Sequence, residues 1–367
     1  MSLTLLNFHA LRNLKPVEMT PSSHINVISG ANGSGKTSLL EGGHILGMGR
    51  SFRTRQLKNA IQTDEPYMTL YGRLSGEPEV TLGVRRLRAQ RELELRLKGD
   101  KNARLAELVE AMPLQLINPD AFRLLEGSPA GRREFLDWGV FHVKHDFLAI
   151  WKRTRRALKH RNALLRRGRI LTQEMAVWEH ELALWGEQMD SLRRAWFSDF
   201  LPVFEETLKV LLPLPGLSLH YARGWDKERT LAAVLHDSRP TDQQMGFTQQ
   251  GPQRADLRIR INKQPAVEVL SRGQQKLVVS ALKLAQGRFL ERTAQRHCIY
   301  LIDDLPAELD EQNRYQFCGL LEDMQCQAFI TSVEPSALKN AWRTDTPVNM
   351  FHVKHSKEGG SGLERVS

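Results

Sequence analysis

The sequence predicts an α/β fold interrupted by a long α-helical insertion. Three observations carry that prediction. Residues 25–46 read as strand, glycine loop and helix, the local order that a phosphate-binding loop needs. Residues 298–302, Cys-Ile-Tyr-Leu-Ile, read as a second, strongly apolar strand, and two adjacent aspartates end it. Between these halves, residues 131–212 carry few Gly or Pro breaks and read as helix.

The 367 residues are enough for a large core and two structural units. Hydrophobic residues make up 41% and charged residues 26%, the balance of a soluble globular chain. Lys and Arg number 52 against 42 Asp and Glu, a net charge of +10, and the pI is near 9.6. That balance leans towards a polyanion, nucleic acid or an anionic membrane surface, without choosing between them. Cys298, Cys318 and Cys326 form no C-x-x-C pair and no disulfide framework, which fits a reducing compartment. No basic leader precedes a long apolar stretch, and no apolar run reaches about 18 residues. The expected location is cytoplasmic, with no membrane span.

The elements follow in order. Leu3 to Phe8 and Ile25 to Ser29 read as strands, and Thr37 to Leu46 as a helix. Residues 67–98 alternate and are rich in β-branched residues and arginine, the pattern of antiparallel strands. Met175, Trp178, Leu182, Trp185, Met189, Leu192 and Trp196 repeat at spacings of three and four. That seam predicts a long helix packed on another helix. Its expected partner runs from Phe147 to Arg167, with Trp151, Leu158 and Leu165 seven apart. Residues 168–172 would be the turn of an antiparallel hairpin. Short strands and helices return from Leu217: a strand at Leu257 to Ile261, a helix at Gln274 to Arg292 and a strand at Ala328 to Ile330. The expected division is a head at 1–125 and 216–355, a helical insertion at 126–215, and a mobile Gly/Ser-rich tail at 356–367. The pentapeptide Phe-His-Val-Lys-His occurs at 141–145 and again at 351–355. No mechanism connects the copies, and the repeat reads as chance.

Residues 30–37 read Gly-Ala-Asn-Gly-Ser-Gly-Lys-Thr, a complete phosphate loop. Its backbone N–H groups, from Gly30 through Ala31, Asn32, Gly33, Ser34 and Gly35 to Ser38, would wrap a β-phosphate. Lys36 would neutralise the β and γ oxygens, and the Thr37 hydroxyl would ligate Mg²⁺. Asp303, at the end of the apolar strand, would hold Mg²⁺ through its water shell. Asp304 would orient or deprotonate an attacking water.

A second anion-reading segment lies about 235 residues downstream. Ser271 and Gln274 form a capping box, so a helix starts there. Leu277, Val278, Ala281, Leu282, Ala285 and Phe289 give that helix an apolar face. Its start carries a hydroxyl, free N–H groups, Gly273 and the cation of Arg272, the chemistry of a γ-phosphate sensor. Taken alone, the segment reads equally as a well-capped core helix. Three basic runs complete the candidates: Arg153, Arg155 and Arg156 within 151–169, a stretch with no acid; Arg85 and Arg86; and Arg53 and Arg55. Each suits phosphate-backbone contact, and each alone is also compatible with a plain solvated face.

Leu-Ser-Arg-Gly-Gln at 270–274 resembles the signature motif of ABC-type ATPases, and Pro306 to Asp310 resembles that family's D-loop. With residues 6–14, 28–41, 49–54, 128–137 and 251–256, nearly the whole chain resembles the RecF family of bacterial recombinational-repair ATPases, relatives of the SMC heads. The resemblance implies an ABC-type ATPase head with a short helical arm, using ATP and Mg²⁺. It implies an ATP-dependent homodimer, in which the Ser271 segment of one copy closes the nucleotide held by the other's loop. It further implies single-stranded, gapped or junction DNA as ligand, RecO- and RecR-type partners, and roles in recombinase loading, replication restart and the SOS response. The activity implied is a weak, DNA-stimulated ATPase that works as a switch. Some positions depart from the pattern. Arg272 stands where glycine is common, and Asp304 where glutamate is usual, which predicts slow hydrolysis. Thr331 or Ser332 replaces a histidine, Gln253 replaces another, and Asn118 lies roughly where related heads place a metal-sensing glutamine. The competing reading, the nucleotide-binding subunit of a membrane transporter, needs a shorter and less basic insertion.

Overall fold

In a computed structural model, residues 2–167, 172–339, 341–343, 345–355 and 360–366 are described, and the chain divides into two compact units. The first takes in Met1–Phe122, Val210–Leu212 and Lys276–Ser367; the second takes in Arg123–Lys209 and Pro213–Gln275.

The first unit opens with β1 (Leu3–His9), β2 (Val17–Met19), β3 (Ile25–Ser29), α1 (Lys36–Met48), β4 (Tyr67–Leu74), β5 (Val80–Leu87), β6 (Leu93–Leu97), α2 (Leu105–Ala111) and β7 (Leu114–Ile117). The chain then builds the second unit: α3 (Arg123–Glu126), α4 (Pro129–Val143), α5 (Phe147–Arg166), α6 (Thr172–Leu211), β8 (Leu217–Ala222), α7 (Leu231–Met245), β9 (Asp256–Ile261), β10 (Gln264–Pro265) and α8 (Ala266–Val269). Helix α9 (Arg272–Ala294) begins in the second unit and ends in the first. The first unit closes with β11 (Ile299–Ile302), α10 (Leu305–Glu308), α11 (Glu311–Asp323), β12 (Gln327–Ser332), α12 (Ser336–Lys339), β13 (Val348–His355) and β14 (Ser361–Val366).

Two sheets build the first unit. One is antiparallel, in the order β2-β1-β4-β5-β6. Strands β4 and β5 bury every second residue, so this sheet has one core face. The other runs β14-β13-β3-β12-β11-β7 and is parallel apart from β14. All residues of β3, β11 and β12 are buried, as expected of parallel strands covered on both faces. Leu39, Leu40, Ile45 and Leu46 of α1 join Leu6, Phe8, Leu301 and Phe329 of the two sheets in one core. Because β3, β12 and β11 are parallel neighbours, the loop after β3 and the aspartates after β11 emerge at the same edge. The carboxyl ends of parallel strands are where α/β sheets bind ligands.

In the second unit, α6 buries Met175, Leu182, Met189 and Trp196 of the expected seam. Trp178, Trp185 and Leu192 stay half-exposed. The facing stripe on α5 differs in part from expectation. Leu165 is buried and packs with Met175 as expected, but the rest of the stripe runs through Phe147, Ile150, Thr154, Ala157, Arg161 and Leu164, a residue ahead of Trp151 and Leu158. The arginine in this stripe is satisfied by ionic partners instead of water. The Arg161 side chain is fully buried; it donates to Asp242 at 2.7 Å, to Glu179 at 3.0 and 3.3 Å, to Thr248 at 2.7 Å and to the Leu235 carbonyl at 3.2 Å. Of the expected turn, residues 168–171 lie outside the described residues.

Two boundaries differ from the sequence reading. Residues 213–275 group with the helices instead of with the head. Leu231, Val234 and Leu235 of α7 share a core with Ala157 and Leu182, and Arg132 of α4 clamps Asp256 of β9 at 2.7 and 3.2 Å. The expected mobile tail contains a strand. Ser361 to Val366 pair with Met350 to His355, and Leu363 packs on the core. A complete backbone ladder outweighs the flexibility that Gly and Ser confer. The repeated pentapeptide is helical at Phe141–Val143 and extended at Phe351–His355, so tertiary context decides its conformation.

Candidate active site

The phosphate loop leaves β3 at Ser29 and enters α1 at Lys36. Its turn demands glycine at two points. A Cβ on Gly30 (φ +152°) would lie 2.6 Å from both Ser34 Oγ and the Val353 carbonyl; one on Gly35 (φ +110°) would lie 2.8 Å from Leu14. Asn32, Gly33, Gly35, Lys36, Thr37 and Ser38 line an open cleft of about 950 Å³, with Ser34 buried beneath. Asp303, Asp304, Glu308 and Thr331 line the same cleft, and every lining residue belongs to the first unit.

Thr37 Oγ1 donates to the Asp303 carboxylate at 3.1 and 3.3 Å, joining residues 266 positions apart. Lys36 Nζ donates to the Gly30 and Ala31 carbonyls at 2.7 and 3.0 Å. Burial lowers the Lys36 pKa, against the opposing pull of Asp304 and then Asp303. Asp304 moves the other way. Burial, then the neighbouring charges of Asp303 and Glu308, raise its carboxyl above the ordinary range, while Lys36 opposes the shift. Its backbone is left-handed (φ 51°), a conformation that costs a non-glycine residue about 1–2 kcal/mol and is common where a side chain must be aimed.

Thr331 explains how that conformation is held. Its hydroxyl donates to Asp303 Oδ1 at 2.8 Å and accepts from the Asp304 N–H at 2.8 Å. One side chain thus fixes both aspartates. Thr331→Val is expected to lower hydrolysis about 10- to 100-fold, the usual cost of losing such a supporting hydrogen bond, while Thr331→Ser keeps the rate. Steady-state ATPase assays check this; a valine variant at the wild-type rate would refute the positioning role. Asn118 accepts from the Ala121 N–H at 2.9 Å, and Pro119, not Asn118, lines the cleft.

A second cluster on the cleft wall escaped the sequence reading. Glu41 of α1 is fully buried. Arg12 grips it with two hydrogen bonds of 2.7 and 2.8 Å, Ser51 donates to it, and Arg53 reaches it at 3.3 Å. Burial pushes the Glu41 carboxyl up, but the bonds from Arg12 and Ser51 prevail and hold it low. Arg53 also lies 3.3 Å from Ser38 and lines the cleft. The structure therefore draws Arg53 out of the basic-run candidates and into this cluster.

The other predicted residues fall in several settings. Ser271 and Gln274 form the capping box, with bonds of 3.0 and 3.3 Å. Ser271, Arg272 and Gly273 are exposed, and Arg272 meets Glu126 at 3.3 Å. Gln253 donates to the Thr248 and Gln250 carbonyls. Arg86 is buried and donates to the Glu92 carbonyl, because its position on β5 points into the core; it is withdrawn as a surface contact. Arg85 lies over Tyr67 and pairs with Glu94, and Arg55 is exposed. Arg153, Arg155 and Arg156 are exposed and lie over Trp185, Trp151 and Trp178 at 4.2, 4.5 and 5.9 Å. The half-exposed tryptophans of the expected seam thus support cations.

Among the described residues, no three His, Cys, Asp or Glu side chains converge as a metal cage. The hydroxyl of Thr37 and the carboxylate of Asp303 nonetheless form an all-oxygen pair. That suits Mg²⁺, which takes few protein ligands and keeps water and phosphate oxygens.

Residues 2–358 match the family described as RecF/RecN/SMC N terminal domain. The chain is similar to the DNA replication and repair protein RecF of Chromohalobacter salexigens, 65% identical over 97% of this chain and 99% of that one. It is also similar to the protein of the same description from Pseudomonas aeruginosa, 53% identical over 97% of each chain. Among solved structures, it superposes on the recombination mediator protein RecF bound to ATP, from the RecFOR pathway, with a TM-score of 0.85 at 22% identity, covering 100% of this chain and 98% of that one. An SMC head bound to the C-terminal winged-helix domain of ScpA gives 0.63 at 16% identity, covering 100% and 98%.

Proposed function

The chain belongs to the RecF family, and on that premise we propose that it is an ATP-driven DNA-binding switch of replication and repair. The carrying observation is the convergence of Lys36, Thr37, Asp303, Asp304 and Thr331 on one polar cleft. The loop's backbone N–H groups and Lys36 bind the nucleotide phosphates. Thr37 and Asp303 are the residues that would hold Mg²⁺, which when bound neutralises charge on the phosphate oxygens. Asp304, aimed by its strained backbone and by Thr331, accepts the proton of the attacking water. Its side chain is a methylene shorter than the usual glutamate, and slow turnover follows.

Exposed Ser271, Arg272 and Gly273 are free to meet the nucleotide of a second copy, so ATP closes a homodimer and hydrolysis opens it. The DNA is single-stranded, gapped or junction-containing, contacted through its backbone by the arm arginines 153, 155 and 156. RecO- and RecR-type proteins are the partners in recombinase loading, in the cytoplasm. Anisotropy of a labelled gapped duplex tests the switch. ATP is expected to strengthen binding by wild type and not by Lys36→Met or Ser271→Arg. Equal strengthening in all three would exclude an ATP-closed dimer.

A further inference from the structure

The second unit carries a cationic groove that no basic run in the sequence announces. Strand β9 buries Leu257, Ile259 and Ile261 and turns Arg258 and Arg260 to the opposite face. Two residues apart on a strand, their Cα atoms stand about 7 Å apart. That is comparable to the distance between successive phosphates of a nucleic-acid strand. Across β8, the facing residues are His220 and Ser218, neither of them acidic. Beyond Arg260, its ladder neighbour on β10 is Pro265, held there by the tight turn at Asn262 and Lys263, both at positive φ.

The two acids that line the groove, Asp256 and Glu126, are already engaged. Asp256 is gripped by Arg132, which also donates to the Leu124 and Gly127 carbonyls. Glu126 faces Arg272. Among the described residues, Arg258 and Arg260 make no side-chain ion pair or hydrogen bond. Their groove, of about 310 Å³, is bounded by Glu126, Arg132 and residues 265–267. Two uncompensated guanidinium groups on a rigid strand, at an open polar groove, form an anion site and not an apolar pocket.

We propose that Arg258 and Arg260 hold successive phosphates of a DNA strand, giving the second unit a backbone contact separate from the arm. This assignment rests on the DNA-binding reading above. The groove also adjoins the signature segment. Residues 265–267 lead directly into Leu270 and Ser271, and Glu126 on the rim is the partner of Arg272. A phosphate strand in the groove repels Glu126 and attracts Arg272, and so weakens the contact between them. DNA occupancy is thereby felt at the helix start that meets the second copy's nucleotide.

The test is anisotropy of a labelled gapped duplex against salt concentration, for wild type, Arg258→Glu/Arg260→Glu and Arg258→Lys/Arg260→Lys. The glutamate pair is expected to weaken binding about 10- to 100-fold and to reduce the slope of log K against log salt by about 2, at ~0.9 per phosphate contact. The lysine pair keeps the slope. Melting temperature and fluorescent-ATP affinity should match wild type in both. A wild-type affinity and slope in the glutamate pair overturns this site alone, with the arm left as the contact. A wild-type chain that binds no duplex overturns the DNA-binding reading as well. Loss of ATP affinity without loss of duplex binding would assign the groove to a free nucleotide and overturn the nucleic-acid assignment.

Discussion

Asp304→Asn leaves ATP bound and lowers its hydrolysis about 10²- to 10⁴-fold, the range for removing a positioned general base. Asparagine preserves shape and the backbone contact to Thr331 but takes no proton. The same variant reports the pKa of the group. In the nucleotide-free chain burial, Asp303 and Glu308 raise the Asp304 carboxyl. A general base must be deprotonated to act, so activity is lost as pH falls through its pKa, and that acid limb disappears in the variant. Stability carries the opposite sign. A carboxyl raised in the folded state favours folding below its unfolded pKa and loses that contribution as pH rises through the folded one. At neutral pH, Asp304 is therefore a cost to stability, and Asp304→Asn melts no lower than wild type. Single-turnover hydrolysis across pH, beside thermal melting, checks both. Wild-type rates in the variant would remove Asp304 from the chemistry.

Arg161→Ala destabilises the second unit by about 3–5 kcal/mol, the usual cost of breaking a buried ion pair from one side. The substitution strands Asp242, also fully buried, and strips one guanidinium from Glu179, which keeps Arg239. Replacing Arg161 and Asp242 together by leucine recovers much of the loss, because Glu179 keeps Arg239 and no uncompensated charge remains. Urea unfolding followed by tryptophan fluorescence measures it, since Trp178 lies beside this cluster on α6. An alanine variant as stable as wild type would mean that the pairing contributes nothing.

The sequence reading succeeded where a pattern is local. The phosphate loop, the capping box at Ser271 and the apolar strand before Asp303 depend on neighbours in sequence, and their limits agree with the structure to within a few residues. It failed where a residue's role depends on a distant partner. Arg161 read as one more cation in a basic run, and only the approach of Asp242 and Glu179 turns it inward. Arg86 and Arg85 are adjacent and look alike, yet the pleat sends one into the core and leaves the other on Tyr67. Arg53 needed Glu41, and Thr331 needed two aspartates 27 and 28 positions away. Arg258 and Arg260 sit in an ordinary alternating strand, and their significance is the lack of any acid opposite them. The C-terminal strand was hidden by Ser361, Gly362 and the Gly-rich residues before it in sequence, since the ladder partner that fixes Ser361–Val366 is visible only in three dimensions.

That strand is the last-made support of the nucleotide site. Ser361 bonds the Asn13 and Lys15 backbones beside the phosphate loop, and its Cβ would lie 3.5 Å from one added to Gly35. The loop is translated early, its aspartates more than 260 residues later, and this supporting strand later still. Contacts so far apart in sequence form slowly. A nascent chain paused anywhere within the second unit has its glycine loop but no wall to set it against.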